Sequence, residues 1–124
     1  MKVYESLKFM QDSFSAIETC GVPVIAAIHG ACIGGGVDLI CAADIRVCSR
    51  DAVFSVKEVD IGLAADIGSL QRLPKIVANQ SWVRDVVYTA RNFGAEEALR
   101  VGLVSGVYED KKTMMGIIFS LSNR

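Results

Sequence analysis

Residues 23–48, PVIAAIHGACIGGGVDLICAADIRVC, constrain the fold most strongly. PVIAAI is apolar without alternation, and a strand of that kind is buried on both faces, as in a parallel sheet. The run stops at Gly30. The triplet Gly34, Gly35 and Gly36 then opens GGGVDLICAAD, a stretch long enough for a helix whose N-terminus lies in the glycines. IRVCS and AVFSV read as two further short strands. Strand and helix therefore alternate, which argues for an α/β fold.

The flanks fit the same scheme. Leu7, Met10, Phe14 and Ile17 recur at helical spacing until Gly21 and Pro23 intervene, so the chain is expected to begin inside a helix. KEVDIGLAADIGSLQRLP is punctuated by glycine, with helical turns expected near Pro74. Ser81 is expected to cap a helix running to about Arg91, and GAEEALRVGLV to form another that Gly102 ends. LVSGVYED reads as a last strand, after which Asp110 opens a final amphipathic helix.

With 124 residues, 52% of them hydrophobic and 22% charged, the chain is expected to be one globular unit spanning residues 1–124. Its net charge of -1, without a basic cluster, gives no electrostatic footprint for nucleic acid or an anionic membrane surface. No apolar run approaches the roughly 20 residues of a membrane span. Cys20, Cys32, Cys41 and Cys48 form no CxxC pair and sit among Val, Ile and Ala, so reduced, buried thiols and an intracellular compartment are expected. The acidic residues Glu5, Asp12 and Glu18 are unlike a transit peptide, and the terminal LSNR is unlike a peroxisomal SKL signal.

Glycines at a strand-to-helix junction let a ligand approach the backbone, and the helix start offers N–H groups with no intrahelical acceptor. This suits an anion or an oxyanion. No Lys-Ser/Thr follows to make a P-loop, and Leu39 stands where a dinucleotide fingerprint needs its third glycine. Tight packing of helix on strand would account for the glycines equally well. Asp38, Glu58 and Asp66 each interrupt an apolar or glycine-rich stretch, where a carboxylate needs partners or a chemical task. Shared in one pocket, they would raise at least one pKa and suit proton shuttling. Spacing leaves open the alternative, with Glu58 and Asp66 on a solvated loop and Asp38 in a helix first turn. His29 reads as a structural residue at a strand end. Ser55 and Ser69 lack a recognisable His partner for nucleophilic catalysis.

The stretch from PVIAAIHGACIGGGVDLICAAD through LQRLPKIVANQS closely resembles the crotonase, or enoyl-CoA hydratase/isomerase, superfamily, over about residues 3 to 112. Within it the acids resemble the dienoyl-CoA isomerase branch: hydratases carry Glu at the positions matching Asp38 and Glu58, and usually Gly at that of Asp66. The resemblance implies a ClpP/crotonase-like α/β core of repeated β-β-α units. It implies an isomerase of unsaturated fatty acid β-oxidation that moves the double bonds of a 3,5-dienoyl-CoA to the 2,4 positions. By the same resemblance Gly35 N–H holds the thioester oxygen, with Gly34 and Gly36 beside it. Glu58 then acts at C2, Asp66 at C6, and Asp38 tunes the pocket. No metal or cofactor is implied, coenzyme A arriving with the acyl-CoA substrate. Family members are homo-oligomers, trimers or hexamers, of the mitochondrial matrix or peroxisome. Family domains also extend beyond both ends of these residues. The expectation is therefore a partial domain, lacking an N-terminal part with the second oxyanion donor and C-terminal helices that close the pocket. The alternatives are an enoyl-CoA hydratase, another enoyl-CoA isomerase, or a silent fragment that associates with full-length subunits.

Overall fold

The computed structural model describes residues 2–5, 21–56 and 73–122. In chain order the elements are β1 (Lys2–Glu5), β2 (Val24–Ile28), β3 (Ala31–Ile33), α1 (Gly35–Cys41), β4 (Ile45–Ser49), β5 (Val53–Ser55), α2 (Gln80–Thr89), β6 (Phe93–Gly94), α3 (Ala95–Arg100), β7 (Gly106–Tyr108) and α4 (Lys111–Ser122). A short helical turn at 73–76 precedes α2.

All of β2 is buried, and its side chains divide by parity as the two-residue period of a strand requires. Val24, Ala26 and Ile28 enter one apolar cluster, with Val37 and Ile40 of α1, Val83 and Val86 of α2 and Ala98 of α3. Ile25 and Ala27 enter a second, closed by Met114 and Ile118 of α4. The unbroken apolar run thus marks a central strand with helices on both sides.

Four strands form a sheet in the order β1-β2-β4-β7, and all three pairings are parallel. A smaller sheet has the order β3-β5-β6, with β3 parallel and β6 antiparallel to β5. From β2 to β5, consecutive strands therefore alternate between the two sheets. The chain leaves β2 through Gly30, whose φ of 66° suits a residue without a side chain, and enters the small sheet as β3 before returning through α1 to β4. It leaves β4 for β5 through residues 50–52, which contain no glycine. Gly30 O accepts from Val53 N at 2.9 Å, so the two sheet-switching turns lie one above the other. The fold is α/β, and β2-β3-α1 is one β-β-α unit.

Two expectations are corrected. Residues 2–5 form a strand, in register with Val24–Ala27, where the helical stripe predicts a chain beginning inside a helix. Four residues carry too little periodicity to announce this, and pairing with β2 decides their state. The stripe Leu7, Met10, Phe14 and Ile17 lies outside the described residues. The cap of α2 is Asn79, not Ser81: Asn79 Oδ1 accepts from Trp82 N at 3.0 Å, satisfying a first-turn donor two residues earlier. The helix ends at Thr89, two residues before Arg91, with Ala90 as its left-handed C-cap. The Asp110 cap is as expected, accepting from Thr113 N at 2.7 Å, and this backbone hydrogen bond holds its carboxyl below the usual range.

Side chains join the layers. Phe93 of β6 stacks on Phe54 of β5 with ring centroids 5.3 Å apart and meets the edge of Trp82 of α2 at 4.9 Å. Trp82 Nε1 donates to Glu97 at 2.7 Å, and Arg91 donates to both Glu97 and Asp85, linking α2 to α3. Arg46, at the start of β4, donates to the carbonyls of Leu103 at 2.8 Å and Ala43 at 2.7 Å, and burial lowers its pKa. Cys32, Cys41 and Cys48 are buried free thiols, as the sequence suggests, while Cys20 lies outside the described residues.

Two measurements follow from this packing. Replacing the α2 cap, Asn79→Ala, should cost about 1 kcal/mol in the urea unfolding of the chain. Burial, and after it the charges of Glu96 and Asp51, push the Cys48 thiol up to about 12. The folded state then holds this proton where the unfolded state releases it. The contribution is fully present below the ordinary thiol value near 9.0 and is lost as pH rises towards about 12. Unfolding midpoints should therefore fall across that window in the native chain, and fall less steeply in Cys48→Ala.

Candidate active site

The glycine triplet sits where β3 turns into α1. Gly34 is the N-cap, Gly35 the first helical residue and Gly36 the second. Gly34 has φ 58° and ψ -117°, a backbone conformation that side chains strongly disfavour, and it is buried. Gly34 and Gly36 thus differ in how firmly the fold requires glycine. At Gly36 an added Cβ would lie 3.5 Å from Cys32 Sγ, an ordinary contact, so packing alone does not demand glycine there. At Gly34 the backbone conformation does.

Hydrogen bonds fix the turn on one side. Gly34 N donates to Ser55 O at 2.8 Å, continuing the parallel β3–β5 ladder one step beyond the Ile33–Ser55 pair. Val37 N donates back to Gly34 O at 3.0 Å. Gly35 and Gly36 occupy the first two helical positions, whose N–H groups have no intrahelical acceptor. The junction therefore presents backbone donors at the positive end of a short helix, and hydrogen in place of side chains around them. Chemically that arrangement can stabilise a developing oxyanion.

The proposed acids are only partly within view. Asp38 belongs to α1, three residues after Gly35, in a helix otherwise composed of Gly, Val, Leu, Ile and Cys. Glu58 and Asp66 lie outside the described residues, as does Ser69. In the sequence Glu58 follows Ser55, the last residue of β5, by three positions.

The remaining candidates have structural surroundings. His29 directly follows β2 and is half-buried. The Ser55 hydroxyl donates to the Ala90 carbonyl at 3.2 Å. Among the described residues no group of three or more His, Cys, Asp or Glu side chains has metal-binding geometry, and no helix is long and apolar enough to cross a membrane. Sequence reasoning missed the part played by Ser55, whose one visible signal is a hydroxyl residue within the apolar run AVFSV.

The family model for Enoyl-CoA hydratase/isomerase matches residues 3–121. The chain is 60% identical over 112 residues to a protein of Rattus norvegicus named mitochondrial Delta(3,5)-Delta(2,4)-dienoyl-CoA isomerase, a match covering 90% of this chain and 34% of that one. It is 56% identical over 108 residues to a peroxisomal protein of the same name from Arabidopsis thaliana, covering 87% of this chain and 38% of the relative. The chain thus spans little more than a third of the length of these relatives. Among solved structures, a probable enoyl-CoA hydratase/isomerase from Mycobacterium abscessus superposes with a TM-score of 0.81 at 35% identity, over 91% of this chain and 43% of the other. Such a match, with parallel strands on both sides of a glycine-opened helix, places the chain in the enoyl-CoA hydratase/isomerase family.

Proposed function

We propose that these residues form the catalytic segment of a Δ3,5-Δ2,4-dienoyl-CoA isomerase, acting on an acyl-CoA thioester of unsaturated fatty acid breakdown. The observation that carries this reading is the 60% identity to the rat protein of that name. The acids Asp38, Glu58 and Asp66 of the sequence support it, since this combination resembles the isomerase branch rather than the hydratases.

The chemistry follows from the substrate. A C2 proton of the 3,5-dienoyl thioester is acidified by the adjacent carbonyl, and its removal by Glu58 gives a dienolate with negative charge on the thioester oxygen. The Gly35 N–H, fixed by the Gly34 turn, stabilises that oxygen. Protonation at C6 by Asp66 completes the shift, and the Glu58 and Asp66 protons re-equilibrate with water between turnovers. Two carboxylates are needed because one cannot reach both ends of the conjugated system. Asp38 tunes the pocket's charge. Nothing is oxidised and no atoms are added beyond the exchanged proton, so proton transfer and charge stabilisation suffice and no metal or cofactor is called for.

The family's homo-oligomeric assembly, as trimer or hexamer, and a mitochondrial or peroxisomal setting are part of the proposal, relatives of both compartments being known. A hydratase is the second reading, favoured by 39% identity over 101 residues to a short-chain-enoyl-CoA hydratase of Clostridium acetobutylicum.

The test uses a protein of the relatives' full length that carries these residues. Offered 3,5-dienoyl-CoA and 2-enoyl-CoA side by side, it should consume the first, followed by the ultraviolet absorbance of the conjugated product. Preferential hydration of the second would establish the hydratase instead. Asp66→Asn should reduce kcat by about 100-fold or more while acyl-CoA binding persists. Gly35→Val should reduce it by about 100- to 1000-fold, as loss of an oxyanion donor does; full turnover in a folded Gly35→Val protein would assign the glycines to packing alone.

A further inference from the structure

Among the described residues the buried polar ones are Ser49 and Ser55, and each stands at the end of a strand. Ser49 ends β4, and its hydroxyl bonds to the Asp51 carboxylate and lies 3.5 Å from the Ile28 carbonyl at the end of β2. It ties strand ends within the large sheet. Ser55 ends β5 with 1% of its surface exposed, and it reaches in two directions. Its main-chain oxygen accepts from Gly34 N at 2.8 Å, and its hydroxyl donates to Ala90 O at 3.2 Å.

Ala90 is itself unusual. With φ 53° and ψ 28° it is the one non-glycine residue of positive φ among those described, and its N–H closes the last turn of α2 on Val86 O at 3.1 Å. Its carbonyl is aimed at β5. An alanine at position 55 would leave the space largely filled but withdraw this donor from the half-buried Ala90 carbonyl, and its methyl group would offer nothing in place of the hydroxyl to bind the end of β5 to α2.

We propose that Ser55 is a positioning residue for the oxyanion turn: by clamping the end of β5 to the C-cap of α2 through its hydroxyl, it sets the carbonyl that holds Gly34 and hence the direction of the Gly35 N–H. The proposal rests on the functional reading above. A donor misplaced by about 1 Å costs up to about 100-fold in rate. A loosened clamp should be milder, because the Gly34 hydrogen bond itself survives.

In the same full-length protein, Ser55→Ala should lower kcat about tenfold. KM for the 3,5-dienoyl-CoA should stay within about threefold, and Ser55→Thr, which keeps the hydroxyl, should recover most of kcat. Amide hydrogen exchange at Gly34, Gly35 and Gly36 should accelerate in Ser55→Ala relative to the amides of β2. An unchanged kcat with unchanged glycine exchange overturns the proposal, as does a loss confined to KM or to thermal stability. If Ser55→Ala does not fold, Ser55→Cys, similar in shape with a weaker donor, is held to the same criteria. If the unsubstituted protein consumes no 3,5-dienoyl-CoA, the functional reading fails by itself. The exchange measurement then still decides whether Ser55 clamps the turn.

Discussion

Two-sided burial of β2 is the constraint on which the rest of the molecule depends. Its five residues are all inside, and they feed both apolar clusters. A strand so placed cannot lie at an edge, so β1 and β4 must flank it, and the parallel β2–β4 pairing requires a crossover, which here passes through β3 and α1. The glycine turn stands on this crossover. Its geometry is therefore inherited from the centre of the protein and not from a surface loop, which is what an oxyanion donor needs in order to be preorganised.

Much of this was legible in the residues. The unbroken PVIAAI run announced a buried strand, IRVCS coincides with β4, and Asp110 caps the final helix as its position suggested. What escaped is what short segments cannot encode. β1 spans four residues and β3 three, and neither has room for a period to develop. The split into two sheets was likewise invisible in periodicity, because a strand's own pattern does not say which neighbour it pairs with. The cap of α2 was misplaced because Asn79 and Ser81 are both good caps and stand two residues apart, and only the hydrogen bond to Trp82 separates them.

The candidate site was legible in a different manner. The Gly34–Gly36 cluster could be recognised as a helix opening, but not which glycine was indispensable. The structure gives that role to Gly34, through its φ of 58°, while Gly36 faces Cys32 at a tolerable distance. The roles of Asp38, Glu58 and Asp66 came from resemblance and not from spacing, since carboxylates at such intervals are equally compatible with a solvated loop. Ser55 is legible in the sequence only as a nucleophile without a His partner, because its contacts are with Gly34 and Ala90, residues far from it in sequence.

The parallel order of the large sheet also bears on how the molecule comes to be folded. No two neighbouring strands of that sheet are joined by a tight hairpin: Ile25 pairs with Ile45, and Val47 waits for Gly106, nearly half the chain away. Loop closure must precede reward at each pairing, so folding should be slow for so small a unit, with a transition state that already unites distant strands. While β7 is still missing, β4 presents the open edge of a strongly apolar sheet. The interval between making β4 and making β7 is therefore when the nascent chain is most exposed to mispairing, and when a chaperone would matter most.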